Sequence, residues 1–230
     1  MNIGIIGAGR MAGALGANFA KAGHQLRVGA RNPEAAADLA QKLGGGTAHG
    51  DIANAARFGE VILLAVKRSG ITEALAAAGD LRGKPLIDCN NLGPDPEGGI
   101  SIAETIRQES GASVVKAFNC CHFHVWRMSP PVFDGRRLAV PYCGDDSVAK
   151  ACARALIEQM GCRPLDLGGL GKALHIEYLA AIVIGLLFGG ADPNTVFNLV
   201  DATDMSEHRM RVDRPFLEQP GRVRTSTDRP

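Results

Sequence analysis

The stretch that decides the fold is Met1–Ala12, which reads MNIGIIGAGRMA. The apolar residues before Gly7 predict a buried strand, and the Ala/Gly-rich range Arg10–Lys21 predicts a helix. Gly7, Gly9 and Ala12 form the pattern G-x-G-x-x-A in the turn between them, where dinucleotide-binding domains hold a pyrophosphate. The motif alone is weak evidence. Its place after a first strand and before a second one predicts a Rossmann unit.

Each residue of this turn has a physical role in the predicted site. Gly7 permits a tight turn, Gly9 lets backbone amides approach the phosphates, and Ala12 keeps helix and strand close. The amides of Arg10, Met11 and Ala12 begin the helix, and with the helix dipole they offer roughly half a positive charge to an anion. We therefore predict that Gly7, Gly9, Arg10, Met11 and Ala12 bind the cofactor.

The end of the second strand, predicted over Gln25–Gly29, indicates which dinucleotide is bound. An NAD site usually carries an acidic residue about 20 positions after the glycines. This chain has Arg31 and Asn32 there instead. A guanidinium matches the geometry and charge of a 2′-phosphate, so we predict NADP(H), held by Arg31 and Asn32. The alternative is that Arg31 is a solvated side chain before the helix that starts near Pro33.

Beyond this point strands and helices continue to alternate. The apolar run Glu60–Val66 predicts the clearest buried strand. Further strands are predicted over Thr47–His49, Lys84–Asp88, Val114–Ala117, Arg137–Cys143 and Arg163–Leu167. Such alternation predicts an α/β fold of the Rossmann type, with a doubly wound, mostly parallel sheet covered by helices on both faces.

The length of 230 residues exceeds one domain of about 150, so we expect an attachment to the Rossmann domain. We predict the Rossmann domain over residues 1–167, a small helical C-terminal part over 168–205 and a polar, partly ordered tail over 206–230. The small part holds an apolar helix at about Lys172–Phe188 and a second helical piece at Pro193–Asp201. Because it is too small to bury itself, it should pack on the Rossmann domain or on a second subunit, which makes a homodimer our expectation.

The composition favours an enzyme of small molecules. A formal net charge of +1 gives no electrostatic reason to expect nucleic acid or an anionic membrane as partner. The N-terminal residues lack the pattern of a secretory signal, and the apolar stretch Tyr178–Phe188 is shorter than the roughly 20 residues that span a bilayer. We therefore expect a cytoplasmic protein.

The six cysteines are irregularly spaced, which argues against a disulfide framework in a cytoplasmic protein. Most of them should be small buried hydrophobes. The run Cys120–His124, which reads CCHFH, does not match the Cys-x-x-Cys spacing of structural zinc, so we predict no metal site.

Ligands of an open parallel sheet lie beyond the carboxyl ends of its strands. The segments placed there are Gly7–Met11, Ala30–Asn32, Val66–Ser69, Asp88–Asn91 and Asn119–His124. We expect Val66, Lys67, Asn91 and Asn119 to contact the cofactor, although a lysine at a strand end is often only solvated.

The nicotinamide should point to the last of these loops, so Asn119, Cys121 and His122 are the catalytic candidates. His122 or His124 could donate a proton at neutral pH; the alternative is that both only hydrogen-bond the backbone. On the late helix, His175 and Glu177 could reach the pocket, but we expect them to cap a helix or to lie at the surface.

Six segments of the chain resemble a known family. They are Ile3–Gly9, Gly29–Asn32, Ala65–Lys67, Val115–Asn119, Val140–Asp146 and Gly161–Gly168. With these residues the chain resembles the NADP oxidoreductases that depend on the 8-hydroxy-5-deazaflavin coenzyme F420, and the related NADPH-binding domain of the STEAP metalloreductases.

The resemblance implies hydride transfer between NADP(H) and a deazaflavin or flavin that binds over the nicotinamide as a small-molecule partner. It also implies that Arg31 contacts the 2′-phosphate and that residues 119–121 lie beside the nicotinamide. The run Lys116–Asn119 is more similar to the metalloreductases, so the identity of the hydride acceptor stays open. It could be a deazaflavin, a flavin, a small imine or carbonyl compound, or a ferric-flavin substrate. An NADP(H)-binding redox sensor without chemistry is the alternative from another functional class.

Overall fold

The computed structural model describes residues 1–92, 99–133 and 135–190. The helices are α1 (Arg10–Lys21), α2 (Pro33–Leu43), α3 (Ile52–Phe58), α4 (Ile71–Ala78), α5 (Ile102–Ser110), α6 (Ser147–Gln159) and α7 (Ala173–Phe188). The strands are β1 (Asn2–Ile6), β2 (Gln25–Gly29), β3 (Ala48–Gly50), β4 (Val61–Leu64), β5 (Pro85–Asp88), β6 (Ser113–Lys116), β7 (Val132–Phe133), β8 (Arg136–Arg137), β9 (Ala139–Gly144) and β10 (Arg163–Asp166).

Eight of the strands form one sheet in the order β10-β9-β6-β5-β4-β1-β2-β3. Every neighbouring pair in this sheet is parallel except β6 and β9, which run antiparallel. The predicted Rossmann-type α/β fold with a mostly parallel sheet is therefore confirmed.

One predicted strand was wrong in extent. Arg137–Cys143 is not continuous, because residues 136–137 pair with β7 in a separate antiparallel hairpin and β9 begins at Ala139. The amide of Leu138 donates to the carbonyl of Pro131, which extends the hairpin before the chain enters the large sheet. The predicted helical piece Pro193–Asp201 and the tail 206–230 lie outside the described residues, and the domain boundaries and the homodimer stay predictions.

Successive side chains of the strands point to opposite faces of the sheet and contribute to two hydrophobic cores, one on each face. Ile5 of β1 and Leu63 of β4 lie in the first core, which α1, α2 and α6 cover. Ile6 and Leu64 lie in the second core, which α3, α4, α5 and α7 cover. Both faces are thus buried, as the near-continuous apolar strands require. Within the ranges listed above, no helix is both long enough and apolar enough to cross a bilayer.

Two glycines allow the elements around β1 to approach closely. A Cβ at Gly7 would lie 2.3 Å from the carbonyl oxygen of Ala65, and the φ of Gly7 is +115°, so no other residue fits this turn. A Cβ at Gly4 would lie 2.2 Å from the carbonyl oxygen of Ala55, which places α3 directly against the strand. The close packing around β1 and the turn that follows it therefore depends on the absence of side chains at these two positions.

A buried ion cluster joins β5, β6, α5 and α7. Lys116 at the end of β6 donates from Nζ to Asp88 Oδ2 at 2.8 Å and lies 2.8 Å from Glu177 Oε1 of α7, and all three side chains are fully buried. Glu177 also accepts hydrogen bonds from the amides of Ile102 and Ala103 at the start of α5. Of the two roles expected for Glu177, the helix cap is correct and the surface position is wrong.

The cluster is electrostatically balanced by its surroundings. Burial disfavours the ammonium, but Asp88 and Glu177 outweigh it, so the pKa of Lys116 lies above its usual value and the side chain stays charged. The carboxylate of Glu177 faces the start of α5, which is the positive end of the dipole of that helix. Lys116 also donates to the carbonyl of Asn90, so all three of its N–H groups have acceptors.

Replacing Glu177 with alanine should destabilise the protein strongly, because it leaves the α5 amides unpaired and removes one of the two carboxylates from a buried ammonium. We expect a loss of about 3 to 5 kcal/mol in the free energy of unfolding, measured by urea denaturation. Glu158→Ala, which breaks an exposed pair with Arg154, is the control and should leave the urea midpoint nearly unchanged. Equal midpoints for the two variants would contradict this role of the cluster.

Candidate functional site

The start of α1 presents backbone amides to open space. Gly9 is the N-cap, no side chain accepts a hydrogen bond from the first turn, and that turn has no acidic residue. A Cβ added at Gly9 would meet no atom within 4 Å. Ala12 is fully buried and Met11 half-buried, whereas Gly9 and Arg10 are exposed, so the helix begins at the surface and its second turn is packed inward. This turn can hold an anion of phosphate size.

Arg31 and Asn32 have different surroundings at the end of β2. Asn32 caps α2, because its Oδ1 accepts hydrogen bonds from the amides of Glu34 and Ala35. Arg31 Nη1 lies 2.9 Å from Glu73 Oε2 on α4, and the two side chains are 81% and 63% exposed. An ion pair this exposed is weak, so Arg31 can exchange Glu73 for another anion.

The loop after β4 contributes a mostly exposed rim. Val66 is half-buried and packs against the second core, while Lys67 is exposed and precedes a short 3-10 turn at Arg68–Gly70. Arg68 donates to the carbonyl of Leu92, which ties this turn to the loop after β5. Lys67 is therefore free to meet a ligand at the edge of the sheet or to stay solvated.

Asn91 and Asn119 join the loops that follow β5 and β6. Asn91 Nδ2 donates to the carbonyl of Asn119, and Asn119 Nδ2 donates to Asn91 Oδ1, both at 2.9 Å. Asn119 Nδ2 also lies 3.4 Å from the carbonyl of Ile176 on α7. These bonds fix the two loops to each other and to the last helix. They also engage the side-chain amide of Asn119, one of the predicted catalytic groups.

The backbone at Phe118 determines how the chain leaves β6. Its φ is +64°, which is unusual for a residue with a side chain and is the sort of strain found at functional sites. The buried ring packs edge to face on Trp126 with centroids 5.5 Å apart and on Phe19 at 6.3 Å. This packing holds the strained residue in place and directs the following loop toward α1.

The two cysteines of the loop face opposite cores. Cys120 packs against the second core and Cys121 against the first. Burial raises the pKa of Cys120 to about 12, and burial together with Cys162 raises that of Cys121 to about 11, so both are protonated at neutral pH. Cys121 is thus suited to shape a pocket wall and not to act as a nucleophile. All six cysteines are free thiols.

His122 and His124 lie on the exposed side of the same loop, around the ring of Phe123. The His122 and His124 rings are 4.8 Å apart, and the guanidinium of Arg10 lies over the Phe123 ring at 4.8 Å. Desolvation lowers the pKa of His122, and His124 and Arg10 lower it further, so the imidazole is neutral at pH 7. The part of the chain with described coordinates holds no group of three potential metal ligands.

The structure thus brings together Arg10 with His122, and Asn91 with Asn119, while Arg31 lies near Glu73. Sequence reasoning missed Glu73 and the strained backbone of Phe118. Nothing in the local sequence marks them, because a left-handed backbone and contacts to distant segments become visible only in the folded chain.

The comparisons with known proteins agree with this geometry. Residues 2–92 match the model of the family described as NADP oxidoreductase, coenzyme F420-dependent. The resemblance found in the sequence is therefore confirmed for this range. The matched range includes the glycine turn, Arg31 and Glu73, and it ends at the loop after β5.

A curated relative and two solved structures extend the comparison. The metalloreductase STEAP3 of Rattus norvegicus is 33% identical over 180 residues, which are 76% of this chain and 35% of that protein. The chain thus spans about a third of the length of this relative. A structure from Arthrobacter sp. FB24, described as an F420-dependent NADP-reductase, is 25% identical, with a TM-score of 0.72 over 82% of this chain and 95% of that one. An imine reductase from Myxococcus stipitatus, 20% identical, shares the fold with a TM-score of 0.63 over 90% of this chain and 66% of that one.

Proposed function

We propose that this protein is an NADPH-dependent oxidoreductase that transfers hydride between NADP(H) and a flavin-like or deazaflavin acceptor. The observation that carries the proposal is the uncapped, open start of α1 at Gly9, followed one helix later by the exposed guanidinium of Arg31. The family match of residues 2–92 and the similarity to the Arthrobacter structure described as an F420-dependent NADP-reductase support it.

The residues present fit an NADP molecule along the carboxyl edge of the sheet. The amides of Arg10 and Met11 bind the pyrophosphate in the space above Gly9, and the buried Ala12 keeps the helix close to the strand. Arg31 leaves Glu73 and binds the 2′-phosphate, for which its planar fork is suited. The Myxococcus imine reductase, which shares the fold, is known in complex with NADP+, and this supports the choice of cofactor.

The loop after β6 then borders the nicotinamide end. NADPH supplies a hydride, and transfer to a ring acceptor depends mainly on alignment and close approach. The hydrogen bonds of Asn119 to Asn91 and Ile176 hold this loop in place, and the protonated thiol of Cys121 forms part of the wall of the nicotinamide site. His122, neutral at pH 7, can take up the proton that a reduced acceptor releases when it gives hydride to NADP+.

A panel of acceptors tests the reaction itself. We expect a deazaflavin or a flavin to accelerate the oxidation of NADPH. Cyclic imines alone should not accelerate it. The fold shared with imine reductases makes imine reduction the second candidate, and activity on imines without any flavin would select it. NADPH binding without turnover on the whole panel would favour a sensor.

Arg31→Gln should raise the KM for NADPH about 10- to 100-fold and leave the KM for NADH within twofold, because a charged hydrogen-bond pair to the 2′-phosphate is lost. Glu73→Gln should act in the opposite direction and lower the KM for NADPH by a few-fold, because the competing carboxylate is removed. Steady-state kinetics with both cofactors measures these effects. Arg57→Gln, at the far end of the sheet, is the control, and an unchanged NADPH preference in Arg31→Gln would refute the assignment.

A further inference from the structure

Two arginines from different elements meet on one aromatic ring at the edge of the sheet. The guanidinium carbon of Arg10, the first residue of α1, lies 4.8 Å from the centroid of the Phe123 ring, and that of Arg127 lies 5.0 Å from it. The two guanidinium carbons are therefore at most about 10 Å apart. A phosphate that accepts hydrogen bonds of about 2.8 Å lies about 4 Å from a guanidinium carbon, so one phosphate bridges two arginines whose guanidinium carbons lie within about 8 Å of each other, a separation inside this upper bound.

The two charges are not neutralised by the rest of the described chain. Other exposed arginines have carboxylate partners, for example Arg82 with Asp80 and Arg154 with Glu158. Across residues 1–92, 99–133 and 135–190, Arg10 and Arg127 have no such partner, and both are exposed. The neighbouring loop, residues 117–128, contains no acidic residue. The field at this point of the surface is positive.

The ring and the backbone segments that carry the pair are also held in place before any ligand arrives. Phe123 is only 8% exposed, and Trp126, next to Arg127, is fully buried. The carbonyl of Trp126 accepts a hydrogen bond from Asn18 Nδ2 on α1, so the turn that carries Arg127 is tied to the helix that begins with Arg10. Preorganised donors bind an anion at a lower entropic cost than mobile surface arginines.

The position of the pair relates it to the acceptor. Arg10 follows β1 and Phe123 follows β6, and the sheet order places β4 and β5 between these strands. The contact between them therefore crosses the carboxyl edge of the sheet, beside the loop that borders the nicotinamide end in the proposed function.

We propose that Arg10 and Arg127, which both contact the ring of Phe123, form an anion subsite. This subsite selects acceptors that carry a phosphate group outside the reactive ring. This inference rests on the proposed function for the identity of the ligand as a ring acceptor. The site itself rests on the geometry of the two arginines. It assigns Arg127, which lies outside the cofactor-binding turn, a role in substrate specificity.

FMN and riboflavin provide the test, because they share one ring system and differ by a phosphate. Fluorescence titrations with saturating NADP+ present, so that the cofactor site is filled, should show FMN binding about 10-fold or more tightly than riboflavin. Arg127→Gln should remove this difference by weakening FMN about 10-fold, with riboflavin and NADP+ affinities changed less than twofold. Arg57→Gln should keep the wild-type preference, and rising salt should weaken the binding of FMN and not that of riboflavin.

Any of these results would overturn the inference: equal affinities of FMN and riboflavin, no binding of either, or an FMN preference that survives in Arg127→Gln. A weaker affinity for NADP+ in that variant would also overturn it, because the pair would then serve the cofactor. The titrations need no turnover, so an Arg127-dependent preference for FMN without hydride transfer would retain the subsite and reject the proposed reaction.

Discussion

The buried ammonium of Lys116 is the interaction on which the arrangement of the site depends. A charge at the end of β6 can be buried only if Asp88 of β5 and Glu177 of α7 accompany it, and Glu177 in turn holds the start of α5. Asp88 and Lys116 are the last residues of β5 and β6, so the cluster lies at the carboxyl ends of these strands. It therefore sets where the loops carrying Asn91 and Asn119 emerge, and it fixes α7 beside them.

Most of the fold could be predicted from the sequence because its signals are local. Apolar runs identify the strands, Ala-rich segments the helices, and the pattern at Gly7 and Gly9 the first turn. What could not be predicted is the direction of β9 and the break before it. Both faces of β9 are covered whichever way it runs, so its apolar pattern is the same for a parallel and an antiparallel neighbour.

The site was predictable only where one short segment makes it. The start of α1 at Gly9 is open and Arg31 is exposed, whereas the side chain of Asn32 is engaged in capping α2, and the binding of a cofactor by these residues stays a prediction. Glu73 is far along the chain from Arg31, and the contact of Arg10 with Phe123 crosses two strands. Such pairs arise from the topology of the sheet, and no spacing in the sequence encodes them.

The most direct test of the account is the affinity of the Gly9→Ala variant for NADPH. Binding is measured as quenching of the fluorescence of the single tryptophan, Trp126. The added methyl group meets no atom of the protein within 4 Å, so the thermal midpoint should stay close to that of the wild type. The account predicts saturable quenching in the wild type and at least a 10-fold loss of affinity in Gly9→Ala, because the methyl group occupies the space of the pyrophosphate. Equal affinities of the two proteins would contradict it.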